Sequence, residues 1–138
     1  MRKSRIFLPI LALALCMPGV RAADSDPETL MRRARDLFGY GRWSDARHEF
    51  LRAKKAVAPS ELLLAQEVEY YLAACAVELG SPDAEGALRA FEERYPESVY
   101  TNDVRFSLGS FYCSVGNMDR ARDAFERTDH QCWRSQKS

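Results

Sequence analysis

The stretch Phe111-Tyr112-Cys113-Ser114-Val115-Gly116-Asn117-Met118-Asp119-Arg120-Ala121-Arg122-Asp123-Ala124-Phe125-Glu126-Arg127-Thr128 decides the fold. It reads Gly-x-(large)-x-x-Ala-x-x-x-Phe, and the same reading occurs earlier, from Gly41 through Trp43 and Ala46 to Phe50. Between the two lies Gly80-Ser81-Pro82-Asp83-Ala84-Glu85-Gly86-Ala87-Leu88-Arg89-Ala90-Phe91, which follows it loosely. Ala87 to Ala121 is a step of 34 residues, as is Phe91 to Phe125; Ala46 to Ala87 and Phe50 to Phe91 are steps of 41. The surplus falls around Ala58–Leu64, as a longer link or about two extra helical turns, and the turn at Gly80–Asp83 also looks one residue longer than the others.

Each position has a physical reason. Small Ala46, Ala87 and Ala121 let one helix approach its partner closely, and Phe50, Phe91 and Phe125 lie four residues on, over the same face. Gly41 and Gly116 suit the positive-φ residue that ends a helix. Pro96 stops a helix. Ser25-Asp26-Pro27-Glu28 offers an N-cap, a first-position proline and an acid in the first turn, and Ser60-Glu61, Ser81-Pro82-Asp83, Thr101 and Asn117 supply comparable starts. These signals predict helices over about 27–39, 43–57, 61–79, 82–94, 101–115 and 118–129, an all-α fold of three antiparallel hairpins.

Residues 1–22 stand apart. Arg2, Lys3 and Arg5 precede an apolar run from Ile6 to Val20, and Val20-Arg21-Ala22 leads into Ala23-Asp24-Ser25-Asp26. A basic start, a short apolar core and small residues before a cut after Ala22 make a secretory signal peptide. The run is about 15 residues, short of the roughly 20 that span a bilayer, so cleavage is favoured over a retained anchor. Leu13-Ala14-Leu15-Cys16 departs from a lipobox at Leu15, which is too large for the place before the cysteine. Of 20 basic and 20 acidic residues the leader takes Arg2, Lys3, Arg5 and Arg21, leaving 16 against 20, so the mature chain is mildly acidic. That excludes the basic footprint of a nucleic-acid protein.

Cys75, Cys113 and Cys132 remain after cleavage, an odd number without metal-type spacing. A zinc site would need His130 and Cys132 plus two distant ligands, so no metal or other cofactor is expected. Catalysis has little support. His48 lies on a charged helical stretch, Glu92-Glu93 and Glu67/Glu69 read as surface carboxylates that do not converge, and there is no glycine-rich phosphate loop.

The 34-residue unit, with Leu108-Gly109-x-x-Tyr112 followed by Gly116, resembles the tetratricopeptide repeat over about residues 26–130. Phe91-Glu92-Glu93-Arg94-Tyr95-Pro96-Glu97-Ser98 is similar to bacterial envelope members, among them the periplasmic Tol–Pal coordinator and outer-membrane assembly lipoproteins. The resemblance implies an α-solenoid of about three hairpins over residues 23–130, with a short irregular tail at 131–138. It also implies a concave face, lined by the first helix of each hairpin, that binds another protein. Carried over position by position, that face takes Glu28, Met31, Arg35 and Phe38; then Val68, Tyr71, Cys75 and Glu78; then Asp103, Phe106, Ser110 and Cys113. The same aromatic residues also suit simple packing between helices. The lysine, asparagine and arginine set of a carboxylate clamp is missing. Cys75 and Cys113, on neighbouring first helices, are the candidate disulfide pair, with buried free thiols as the alternative.

After Phe125 the stretch Thr128–Ser138 offers no seventh helix, although repeat stacks need a polar cap. Trp133 folding back on the last hairpin would be a small one. The expectation is the front part of a longer repeat array, with self-association through the last hairpin. The function expected is an exported, non-enzymatic scaffold at the periplasm or outer membrane. The alternatives are a structural spacer, or an N-terminal fragment of a longer envelope repeat protein, with no ligand of its own, and, more remotely, an accessory to an exported hydrolase.

Overall fold

The computed structural model describes residues 26–128. The expected signal peptide at 1–22, the lipobox cysteine Cys16, and His130, Cys132, Trp133 and the tail at 131–138 lie outside the described residues. Within them the chain is all-α, with six helices: α1 Pro27–Gly39, α2 Trp43–Ala56, α3 Leu62–Glu78, α4 Ala84–Arg94, α5 Thr101–Ser114 and α6 Met118–Glu126. None is long and apolar enough to cross a membrane.

The odd-numbered helices end alike. Gly41, Gly80 and Gly116 have φ of 71°, 60° and 77°. In each case the glycine N–H donates three residues back and the next N–H donates five back: Gly41 to Phe38 and Arg42 to Leu37, Gly80 to Val77 and Ser81 to Ala76, Gly116 to Cys113 and Asn117 to Tyr112. This is the Schellman closure, which satisfies the last carbonyls of a helix and turns the chain back. It makes three helical hairpins, α1–α2, α3–α4 and α5–α6, and each helix packs on its neighbours in the chain.

The starts vary more. The Asp26 carboxylate accepts from Thr29 N–H at 3.0 Å, and the Asn117 side chain accepts from Arg120 N–H at 3.3 Å. Glu61 reaches back to the Ala58 N–H at 2.8 Å. Thr101 is not a cap. Its buried hydroxyl donates to the Tyr95 carbonyl at 2.7 Å, tying the start of α5 to the end of α4 just past Pro96.

The surplus in the first repeat is helix and turn, not link. α2 has 14 residues against 11 in α4, and α3 has 17 against 14 in α5. The turn at 79–83 is longer than that at 115–117, while the link at 57–61 is shorter than that at 95–100.

Two core clusters result. The first joins Leu30, Met31 and Ala34 of α1, Ala46, Phe50 and Ala53 of α2, and Val68 and Cys75 of α3. The second joins Ala73 of α3, Leu88 and Phe91 of α4, Val104, Leu108 and Tyr112 of α5, and Ala121 and Ala124 of α6. Hence α3 is apolar on two sides, as a helix enclosed by neighbours must be. Ala46 and Ala121 are buried as expected. Ala87 is only half-buried, because Ala84 and Leu88 take the inner row of α4.

Acidic side chains bridge the helices over these cores. Arg94 Nη1 and Lys54 Nζ lie 2.9 and 3.5 Å from Glu69 Oε1. Arg105 Nε lies 2.8 Å from Glu92 Oε1, and Arg127 bonds the same oxygen. Burial alone would raise the Glu92 carboxyl, but these hydrogen bonds outweigh it and hold it below the usual carboxylate range.

Two outcomes follow from this packing. A Cβ at Gly109 would stand 2.5 Å from the Phe125 ring, so Gly109→Ala costs about 1–3 kcal/mol of stability. In a Phe125→Ala background, denaturant titration finds that cost gone; an additive double mutant contradicts the packing. Second, a lowered carboxyl stabilises the fold fully above the ordinary glutamate range of about 4.3, and that stability is lost as pH falls through the folded value. Glu92→Gln therefore costs about 1–2 kcal/mol at neutral pH, where Arg127 is partly screened by solvent. Denaturant titrations at descending pH show the gap from the parent closing as the acid range is entered; a pH-independent gap refutes the linkage.

Candidate functional site

Helical spacing gives α3 two edges, each carrying a carboxylate. Glu67 and Tyr71 stand one turn apart on one side, while Glu69, Leu72 and Ala76 project from the other. The first edge meets α1 and the start of α5. Tyr71 packs edge-on to Phe38 at 5.5 Å between ring centroids and stacks on Phe50 at 4.8 Å. Tyr70, next to it at 5.2 Å, stacks on Tyr100 at 4.5 Å. Above this band Arg35 Nη1 donates to Glu67 Oε1 at 2.7 Å. Asp103, exposed on the first turn of α5, acts electrostatically on Tyr70.

The electrostatics are those of neutral phenols in a half-buried row. Burial, with the Asp103 charge second, pushes the Tyr70 hydroxyl up to about 12. Tyr71 and Tyr100 are also raised, first by burial and then by Glu67, with Arg35 opposing. All three hydroxyls are therefore protonated near neutrality. The face presents aromatic surface, hydroxyl groups, one ion pair and one carboxylate.

The structure brings together Arg35, Phe38, Tyr71 and Asp103 of the residues expected from sequence. Met31, Val68 and Cys75 do not belong to a surface: all three are fully buried in the first core cluster. Glu28 and Glu78 are exposed at the two ends of their helices. Phe106, Ser110 and Cys113 are exposed on α5, where Phe106 lies 5.6 Å from the Phe125 ring. Cys75 and Cys113 are both free thiols, one buried and one exposed, so the candidate bridge between them is not formed. Burial pushes the Cys75 thiol up to about 11.

Glu67, Tyr70 and Tyr100 belong to the band and were not read from the sequence. On α3 the expected row Val68–Tyr71–Cys75–Glu78 mixes two core positions, Val68 and Cys75, with Tyr71 and Glu78. The row Glu67–Tyr71–Glu78 avoids the core positions and was available from the i, i+4 pattern.

The two larger clefts lie away from this band. One, of about 630 Å³, runs between α2 and α4 over Leu72, Ala73 and Ala76 of α3, with the Lys54–Glu69–Arg94 bridge on its wall. The other, of about 570 Å³, lies among α4, α5 and α6 around Glu92, Arg105 and Arg127. No residue of the expected face lines either cleft, and the cations along both are largely engaged by carboxylates. Among the described residues no group of three His, Cys, Asp or Glu side chains is placed to hold a metal ion. Comparison of the chain with protein-family models, with curated proteins and with solved structures finds no match.

Proposed function

We propose that this chain is an exported interaction module of the tetratricopeptide type, and that the face formed by α1, α3 and the start of α5 takes an extended segment of a partner protein. One observation carries the reading. Arg35–Glu67, Phe38–Tyr71 and Tyr70–Tyr100 place charged and aromatic groups from all three hairpins in one continuous band. Aromatic rings with protonated hydroxyls and flanking charges suit main-chain hydrogen bonding and side-chain stacking along a peptide. The three like-closed hairpins support the repeat reading, and the basic and apolar leader supports export to the periplasm or outer membrane.

The test uses a photo-crosslinking phenylalanine analogue, introduced at Asp103 or, as control, at exposed Lys55 on α2, in the producing cell. The proposal expects a discrete adduct from position 103, none from 55, and loss of the adduct in Arg35→Glu. Equal labelling from both positions, or an adduct indifferent to Arg35→Glu, refutes binding through this face. No adduct from either favours a structural spacer.

A further inference from the structure

The two larger clefts are one groove built twice. Each is floored by a helix that runs into a glycine closure, α3 into Gly80 and α5 into Gly116. Counted back from that glycine, Glu69 corresponds to Arg105, Leu72 to Leu108, Ala73 to Gly109 and Ala76 to Tyr112. The walls correspond as well: α2 and α4 flank the first floor, α4 and α6 the second.

The grooves differ at the last of these places. In the second, Tyr112 occupies the space and is only 6% exposed. Its hydroxyl donates to Glu85 Oε1 at 2.7 Å, and the Arg120 guanidinium stands over the ring, 5.7 Å from the centroid. Leu108, one turn back along the floor, is fully buried. In the first groove the corresponding residue is Ala76, which leaves the place of the ring open. Leu72 is accordingly only half-buried, and Leu51 on the α2 wall is 43% exposed. At the Ala76 end Arg47 of α2 and Asp83, at the start of α4, face each other 3.7 Å apart. Both grooves thus bring a guanidinium from one wall and a carboxylate from the other to the same end, with the walls exchanged.

We propose that the groove between α2 and α4 takes a tyrosine side chain of a partner protein, seated over Ala76 and Leu72 as Tyr112 is seated in its own groove, with Asp83 accepting from the phenol hydroxyl and Arg47 against the ring. The argument for tyrosine is the chain's own solution of the same groove. An apolar floor suits any large side chain, but a carboxylate and a guanidinium together at one end suit a ring that carries a hydroxyl. The Arg47–Asp83 pair is long and Asp83 is exposed, so opening it costs little. One ring does not fill a groove of about 630 Å³. The remainder, along two turns of α2 from Arg47 to Lys54, seats the chain that carries the ring, which selects a protein over a free phenol. The groove lies on the other side of α3 from the aromatic band, so this contact is independent of the peptide face proposed above.

The test titrates N-acetyltyrosinamide into the isotope-labelled chain and follows the backbone amides by NMR. The proposal expects saturable shifts centred on Ala73, Ala76 and Ala90, and binding about fivefold weaker for N-acetylphenylalaninamide, the worth of one hydrogen bond. N-acetylleucinamide gives no saturable shift. Asp83→Ala brings the tyrosine derivative down to the phenylalanine one, and Ala90→Phe, at an exposed place on the α4 wall, abolishes both. Equal affinity for the three derivatives, shifts that survive Ala90→Phe, or no response at all overturns the assignment. The source of the ring is tested in the producing cell with the photo-crosslinking phenylalanine analogue at Glu93, exposed on the rim. A protein adduct whose crosslinked peptide contains a tyrosine, lost in Ala90→Phe and kept in Arg35→Glu, supports the partner protein. Binding of N-acetyltyrosinamide without such an adduct overturns the protein as the source and gives the groove to a free phenol.

Discussion

Everything in this structure depends on α3 burying two sides at once. Val68 and Cys75 complete the core of the first hairpin, while Ala73 enters the core of the second and third. Neither core is large, and a lone helical pair has little stability of its own in water. The shared helix is what lets the two clusters support each other. It also explains the composition of α3, whose apolar residues run round the helix, unlike the one-sided α2 and α6.

The aromatic band is a by-product of that position. With two sides committed to packing, the remaining edges of α3 carry Glu67, Tyr70 and Tyr71 on one and Glu69 on the other. Each edge looks across to a neighbouring helix, so each carboxylate finds a cation there: Arg35 of α1 for Glu67, and Lys54 of α2 with Arg94 of α4 for Glu69. Individually such half-exposed pairs contribute little to stability. They fix how the helices sit against one another, which sets the spacing of the aromatic rings along the face. Gly109 serves the same end by letting Phe125 approach α5.

How much was legible in the sequence follows from which interactions are local. Gly41 and Gly116, Pro27 and Pro96 act within a turn of chain, and the helix ends they imply agree with the structure to within about three residues. Which side of α3 faces the core was harder, because a 34-residue step found between one pair of repeats leaves the other free to differ. At 100° per residue, neighbouring positions fall on different faces, so the expected binding face took in buried Met31, Val68 and Cys75 beside Arg35, Phe38 and Tyr71, and missed Glu67. The acidic residues at 67, 69 and 92 read as solvated because their partners lie 13 to 35 residues away in the chain. No periodicity announces such pairs. Tyr100 was missed for a simpler reason: it stands just before α5, where a helical pattern does not count it.

The central claim, that α3 couples two cores into one cooperative unit, is tested most directly by native-state hydrogen exchange on Phe50→Leu. Phe50 is fully buried in the first cluster and takes no part in the second. The substitution is expected to cost about 1–2 kcal/mol. If α3 couples the cores, the most protected amides of α5 and α6 lose protection by the same amount as those of α1 and α2. Undiminished protection in α5 and α6 would mean that the chain holds two independent units and that α3 does not join them.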